Sequence, residues 1–348
     1  MSEESLAGSS IGTGNRAGAT LEQVAAHIGV SRQTVSNALN APHRLHPKTL
    51  ERVQAAIEEL GYRPNRNARG LRTRSSGLIG YRMTPRDRGV LTPLMDDFLH
   101  ALCAAAEARD RHILLFTAPL GEEGLAVYGD LLAQRAVDAF VLAETVVGDP
   151  RPGWLAERGV PFAAFGRTWG PEQAGPWVDV DGAHGMAQVV EHLHSLGHRR
   201  IGFLGWREGD GVGDDRLRGW KIAAEGFALS TEDDLVVRGA NTIDAGRSGA
   251  AALLDSEDPP TALVAVSDAV ALGALALLAE RSIPAGTGVA VTGFDDSPLA
   301  AATLPGLTSV RQPVERIAEK VLSLLDNQST NGSLLRPELV VRASSGRR

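Results

Sequence analysis

The chain has 348 residues, 43% of them hydrophobic, enough for two or three domains with ordinary cores. Its single cysteine, Cys103, excludes an intramolecular disulfide, and no CxxC or Cys/His spacing offers a structural zinc site, which fits a reducing compartment. The formal charge of −7 conceals two opposite ends: residues 20–76 hold nine Lys/Arg against four Asp/Glu, whereas residues 77–348 hold 25 against 36. This split points to a small module that meets a polyanion, followed by an acidic body that does not.

The most apolar run, Ala269–Ala279, is far shorter than the ~20 residues that cross a bilayer, and the first residues lack a basic-then-apolar leader, so a cytoplasmic protein is expected. Arginine outnumbers lysine 32 to 3, a bias read as GC-rich bacterial codon usage. Residues 1–19 are rich in Gly, Ser, Ala and Thr and are expected to be a disordered tail. The GxSxG formed there by Gly8, Ser10 and Gly12 lacks the flanking strand and helix of a nucleophile elbow and reads as chance.

Thr20 and Gln23 form a capping-box pattern ahead of Leu21, Val24, Ala25 and Ile28, which share one helical face; Gly29 stops that helix. Ser31 suits the N-cap of a second helix with Val35 and Leu39 inward. A third helix starts near Pro47, runs through Leu50, Val53, Ile57 and Leu60, and ends at Gly61. So tight a turn between two short helices predicts a helix-turn-helix headpiece over 20–64. Residues 65–76 are a basic linker with marginal helical potential, expected to order only against a partner.

Beyond Gly77, short apolar runs near 78–81, 113–116, 139–142, 161–165, 201–204, 262–266 and 289–292 alternate with amphipathic stretches at 93–109, 125–134, 183–196, 217–228, 245–254, 269–280 and 314–325. The alternation predicts parallel α/β sheets covered on both faces, and its length favours two lobes over one sheet.

The richest cluster of chemistry lies on the second helix, where Arg32, Gln33 and Asn37 fall within about one and a half turns, opposite Val35. Arginine pairs with guanine O6/N7, and glutamine or asparagine with adenine N6/N7, so this face has the groups that read a major groove. The competing reading, a solvated polar face, is weakened by the basic charge and the third helix.

Here the sequence resembles the LacI/GalR family of transcriptional regulators, from Thr20 to near Val341. The matches include Thr20–Ala25, Gly29–Ser36, Leu60–Asn65, Leu78–Gly80, His192–Ile201, Arg216–Trp220, Gly293–Asp296 and Leu307–Pro313. The resemblance implies an α/β architecture: a three-helix helix-turn-helix headpiece, a hinge helix, and then a two-lobed periplasmic-binding-protein-like effector domain over 77–348. It implies base reading by Arg32, Gln33 and Asn37, with further DNA contacts from Thr20, Ser31, Thr34, Ser36, Asn65 and Ala68. Leu71 matches the family's minor-groove wedge, which kinks the duplex at a base step. The partners implied are an operator duplex and a second copy of the chain, with no cofactor, metal or membrane. No leucine heptads follow Val341, so a dimer is expected rather than a coiled-coil tetramer.

The family's effector contacts map onto Trp177, Arg216, Asn241, Ser267, Asp295 and Gln312, a set suited to a sugar's hydroxyls and its apolar face. Alternatives stay open at three of them: Arg216 pairing with Asp214 or Asp215, Asp295 capping a turn at Asp296, and Trp177 packing within a lobe. Gly166 and Ser267 stand where many members have aspartate and asparagine, which predicts a less polar, roomier cleft and an oligosaccharide or larger glycoside. A purine-type corepressor is the alternative effector. A solute-binding protein and an α/β enzyme are the rivals from other classes; the second lacks a nucleophile–base pair, a phosphate loop and a metal triad. Gly209–Gly213 reads as a mobile acidic loop beside the cleft, and His184, His192, His194 and His198 as structural hydrogen-bonding residues.

Overall fold

The computed structural model describes residues 19–62, 75–84, 93–169, 175–327 and 331–346. The chain divides into two compact units, with the boundary between Ser75 and Ser76. The expected tail and the linker positions Asn65, Ala68 and Leu71 lie outside the described residues.

In the first unit Thr20 opens α1 (Leu21–Ile28). Its hydroxyl accepts the Gln23 N–H at 3.2 Å while the Gln23 side chain accepts the Thr20 N–H at 2.7 Å. Gly29, at φ 66, ends the helix, and the Val30 N–H donates to the Ala25 carbonyl at 3.0 Å, a left-handed closure that a Cβ would oppose. Ser31 caps α2 (Arg32–Asn40), accepting the Thr34 N–H at 3.1 Å, and Pro47 begins α3 (Pro47–Glu59). Val24, Ala25, Val35, Ala38, Val53 and Ala56 form the buried centre. One expectation is corrected: Leu39 is 36% exposed and Ala38 is buried in its stead. The stripe of α2 that faces α1 and α3 lies on the Ala38 side of Val35, so a residue one step further round meets solvent.

The second unit holds two six-stranded sheets. The first orders β11-β5-β4-β3-β1-β2, from β1 (Leu78–Met83), β2 (His112–Thr117), β3 (Ala139–Leu142), β4 (Phe162–Phe165), β5 (Trp177–Val180) and β11 (Gly332–Leu335). The second orders β12-β10-β9-β8-β6-β7, from β6 (Ile201–Trp206), β7 (Val236–Gly239), β8 (Ala262–Ala265), β9 (Ala290–Asp295), β10 (Thr308–Arg311) and β12 (Glu338–Val340). All pairings are parallel except β10 with β12. β3, β4 and β8 are buried at every position, as strands covered on both faces must be. The chain passes between sheets after β5, after β10 and after β11, and where the first and third passages meet, the Asp181 N–H donates to the Leu335 carbonyl at 2.9 Å.

The seven expected strands and seven expected helices are present. The short strands β5, β7, β10, β11 and β12 and the helices Pro150–Glu157 and Pro298–Ala302 add to what the sequence pattern predicts. Each missed strand has only three or four residues, with polar or charged side chains among them, too few to show a period.

Candidate functional site

The sequence-predicted DNA-contacting residues within the described part lie along α2 and the turn before it. Ser31, Arg32 and Gln33 are exposed, while Thr34, Ser36 and Asn37 are half-buried. The Gln33 amide donates to Asn37 Oδ1 at 2.9 Å, and Arg32 pairs with Glu22 of α1 at 3.2 Å across solvent. The donors able to read base edges are thus held by exposed partners, and an exposed ion pair contributes little, so they can be exchanged for a duplex at small cost. Thr20 is occupied by its own helix cap, with its side chain at the N-terminus of α1.

The second unit has a cleft between the two lobes, at the carboxyl ends of their strands, where the strand ends of an open α/β sheet leave room for a ligand. Its volume is about 410 Å³. Arg216 comes from the helix Gly211–Gly226, Asp295 from the end of β9, Gln312 from just past β10 and Asn241 from just past β7; all four line it. Arg216 is 4% exposed, its Nη1 donates to the Val266 carbonyl at 2.5 Å, its Nη2 lies 3.7 Å from Asp295 Oδ1, and its guanidinium covers the Phe294 ring at 3.6 Å. Burial holds its pKa below the ordinary arginine value, against the opposing pull of Asp295 and Asp179. Gln312 donates to Asp295 Oδ1 at 2.7 Å. Asp295 is pushed up to about 7, first by burial and further by the neighbouring Asp268 carboxylate, with Arg216 and Gln312 pulling the other way.

Two of the open alternatives find answers in these contacts. Asp214 pairs with Arg238 and Asp215 with Arg167 and Arg218, leaving Arg216 directed at Asp295. Asp295 bonds Gln312, while the short helix Pro298–Ala302 has Ser297 at its N-cap position. Ser267 sits just behind the cleft wall: it is 1% exposed, donates to Asn241 Oδ1 at 2.7 Å, and caps the helix Asp268–Glu280. Trp177 is not brought to the cleft; it packs against the lobe core around Phe140, Phe162 and Leu155.

The aromatic wall is instead Trp169 and Trp206, and the cleft also carries Asp179, which sequence reasoning missed. Asp179 is 7% exposed in β5, and its Oδ2 accepts Arg167 Nε at 2.8 Å while Arg167 Nη2 donates to Asp215 at 3.1 Å, so one guanidinium bridges the two lobes. The signal available was a lone aspartate inside Trp177–Val180, since a charge in a buried strand needs a partner. Glu144, Asp179, Asp210, Asp215 and Asp295 line the cleft together with Arg207 and Arg216. Gly166 is not simply vacated space, because at φ 108 a Cβ there would meet Thr145 Oγ1 at 2.4 Å. Gly209–Gly213 is also corrected: Asp210 accepts the Gly213 N–H at 3.0 Å and caps the helix Gly211–Gly226, so the glycines after it form a helical first turn.

The histidines have separate partners. His192 Nε2 meets Ser345 Oγ at 2.8 Å, His198 Nδ1 meets Thr261 Oγ1 at 2.9 Å, and His194 stacks on Phe227 at 4.4 Å. Among the described residues no group of His, Cys, Asp and Glu could hold a metal ion, and no helix is long and apolar enough to cross a membrane.

A helix-turn-helix unit and a two-lobed ligand cleft in one chain define the class of ligand-responsive DNA-binding proteins. Residues 20–65 match the model of bacterial regulatory proteins of the lacI family, and residues 190–345 match that of periplasmic binding protein-like domains. The chain is 34% identical over 333 residues to the HTH-type transcriptional regulator CelR of Thermobifida fusca, covering 93% of this chain and 98% of that protein. A solved CelR–cellobiose complex superposes with a TM-score of 0.70 at 32% identity, covering 94% of this chain and 99% of the other. The lac repressor dimer bound to operator and the anti-inducer ONPF gives 0.78 at 25% identity over the same shares. The chain belongs to the lacI family of bacterial transcriptional regulators.

Proposed function

We propose that the protein is a homodimeric repressor of carbohydrate-utilisation genes that binds a pseudo-palindromic operator and is released from it by a sugar. The observation that carries the effector half is the convergence of buried Arg216 and Gln312 with half-buried Asp295 and Asn241 on one cavity. Carboxylate, guanidinium and amide groups lining one cavity offer the paired donors and acceptors that vicinal hydroxyls need. The similar CelR is a cellobiose-bound regulator, which supports a sugar over a purine. The donors of exposed Arg32 and Gln33 and half-buried Asn37 on α2 support the DNA half.

In this reading Thr20, Ser31, Thr34 and Ser36 contact the backbone beside the major groove, and Asn65, Ala68 and Leu71 act in the minor groove. The sugar favours a lobe arrangement that the operator-bound dimer disfavours, and the difference is the coupling free energy. No catalytic step is assigned. The test is fluorescence anisotropy of the full chain on a pool of pseudo-palindromic duplexes against scrambled DNA at two salt concentrations. Specific, salt-sensitive binding that a neutral sugar reverses supports the reading. Tightening by the ligand makes it a corepressor, and indifference to DNA sequence rejects the regulator mechanism.

A further inference from the structure

Behind the polar side of the cleft lies one junction, where β8 passes into the helix Asp268–Glu280. Three successive residues there each hold a different part of the cleft. The Val266 carbonyl accepts Arg216 Nη1 at 2.5 Å, Ser267 Oγ donates to Asn241 Oδ1 at 2.7 Å, and Asp268 binds the backbone that follows Asp295. Asp268 is 3% exposed and stands outside the cleft lining. Its Oδ2 accepts the Ser297 N–H at 2.7 Å and its Oδ1 accepts the Ser309 hydroxyl at 2.6 Å; the same Ser309 oxygen accepts the Asp296 N–H at 3.0 Å. One carboxylate thus fixes two successive peptide N–H groups, one directly and one through a hydroxyl.

Those peptides need fixing. Asp295 at φ 113 and Asp296 at φ 50 are consecutive non-glycine residues in the left-handed region, each a local cost that the surroundings must enforce. The Asp296 side chain is engaged by Arg311 Nε at 2.7 Å and Arg342 Nη1 at 2.6 Å, which leaves the turn's N–H groups to Ser309 and Asp268. Room for the carboxylate comes from β9, where a Cβ at Gly293 would lie 2.3 Å from Asp268 Oδ1. Among the described residues no cation pairs with Asp268, so a buried charge has only these hydroxyl and peptide donors to offset its desolvation.

We infer that Asp268 is a positioning residue of the effector site: it never meets the ligand, but holds the left-handed 295–297 turn so that Asp295 faces Arg216 and Gln312. Ser309 relays the hold to the Asp296 peptide. Without it the turn relaxes to ordinary backbone angles, and Asp295 leaves the 2.7 Å bond from Gln312. The inference rests on the sugar-effector reading above and adds to that site a residue outside its cavity.

The test pairs crystal structures of the full chain with calorimetry against glucose, galactose, xylose, cellobiose, maltose and lactose. Asp268→Asn keeps the shape but has one accepting oxygen in place of two, so it retains one of the two bonds. Ser309→Ala removes the relay and leaves the carboxylate, and Gly293→Ala pushes a methyl against it. The expected result is the same in all three variants: Asp295 displaced from Gln312, and the tightest-binding sugar weakened about tenfold, as loss of a hydrogen bond to a charged group implies. Asp268→Asn and Ser309→Ala together should weaken it by less than the product of the single effects, since they cut one chain of bonds. If Asp268→Asn does not fold, Ser309→Ala decides. Variants that melt at lower temperature but keep the turn and the sugar affinity show a purely structural role and overturn the assignment. A wild-type chain that binds none of the sugars overturns the sugar reading, while the position of Asp295 in the variant structures still decides whether Asp268 holds the turn.

Discussion

The headpiece and the two-lobed body place their functional side chains in opposite ways. In the headpiece the reading residues are neighbours in sequence on one helix, stand in solvent, and are positioned by a core of six small buried side chains. In the body, Arg216, Asn241, Asp295 and Gln312 come from four separate elements and are buried or half-buried in the cleft. Exposed groups on a preformed helix can meet a long polyanion without rearrangement. Buried groups in a cleft select a small molecule because every polar atom there must find a partner. The difference teaches that mutations should damage the two regions differently: loss of specificity in the headpiece, loss of both binding and stability in the body.

Arg216→Ala should break the comparison hardest. It leaves Asp295 buried without its arginine, a change that costs about 3–5 kcal/mol when a buried partner is removed. Denaturant melts of the body should show that loss and calorimetry the disappearance of sugar binding. Smaller effects belong to the headpiece. Arg32→Ala and Gln33→Ala should each cost about 1–3 kcal/mol of discrimination between operator and scrambled duplex, read by anisotropy, with sugar affinity unmoved.

A third change sharpens the account of the cleft. Asp295 is held up to about 7 and Asp268 to about 6, both chiefly by burial, from an ordinary 3.8. A carboxyl raised on folding contributes stability that is complete below about pH 4 and is lost as pH rises through the folded value. The wild-type body should therefore lose stability between about pH 4 and pH 7, by up to about 1.4 kcal/mol per pH unit for each such group, and level off above that. Asp295→Asn, which cannot ionise, should flatten that decline in melts at the two pH values; parallel slopes would contradict the assignment. The smallest effect is Ser31→Ala, which removes the N-cap of α2 and should cost about 1 kcal/mol of headpiece stability, visible as a lower melting temperature.

How far the sequence could be read follows from the same contrast. Caps and turns act over three or four residues, so Thr20, Gln23, Gly29 and Ser31 are legible where they stand, and the headpiece follows from them. The apolar strands of both sheets are legible for the same reason. The cleft is legible only through resemblance, because its members are separated in sequence and meet only when the sheets are stacked. Trp177 and Trp169 show the limit: each is a tryptophan of the same lobe, yet one packs against the lobe core and the other lines the cavity. Asp210 shows another, since a glycine-rich stretch looks like a loop until its cap is seen to start a helix.

The most direct test of the central claim is reciprocity between the two sites. The measurement is the affinity for the best-binding sugar on the free protein and on the protein saturated with its operator duplex. The account predicts weaker sugar binding on the operator complex, by the same factor by which saturating sugar weakens operator binding. Equal sugar affinity in the two states would mean that the cleft and the headpiece are not coupled, and would contradict it.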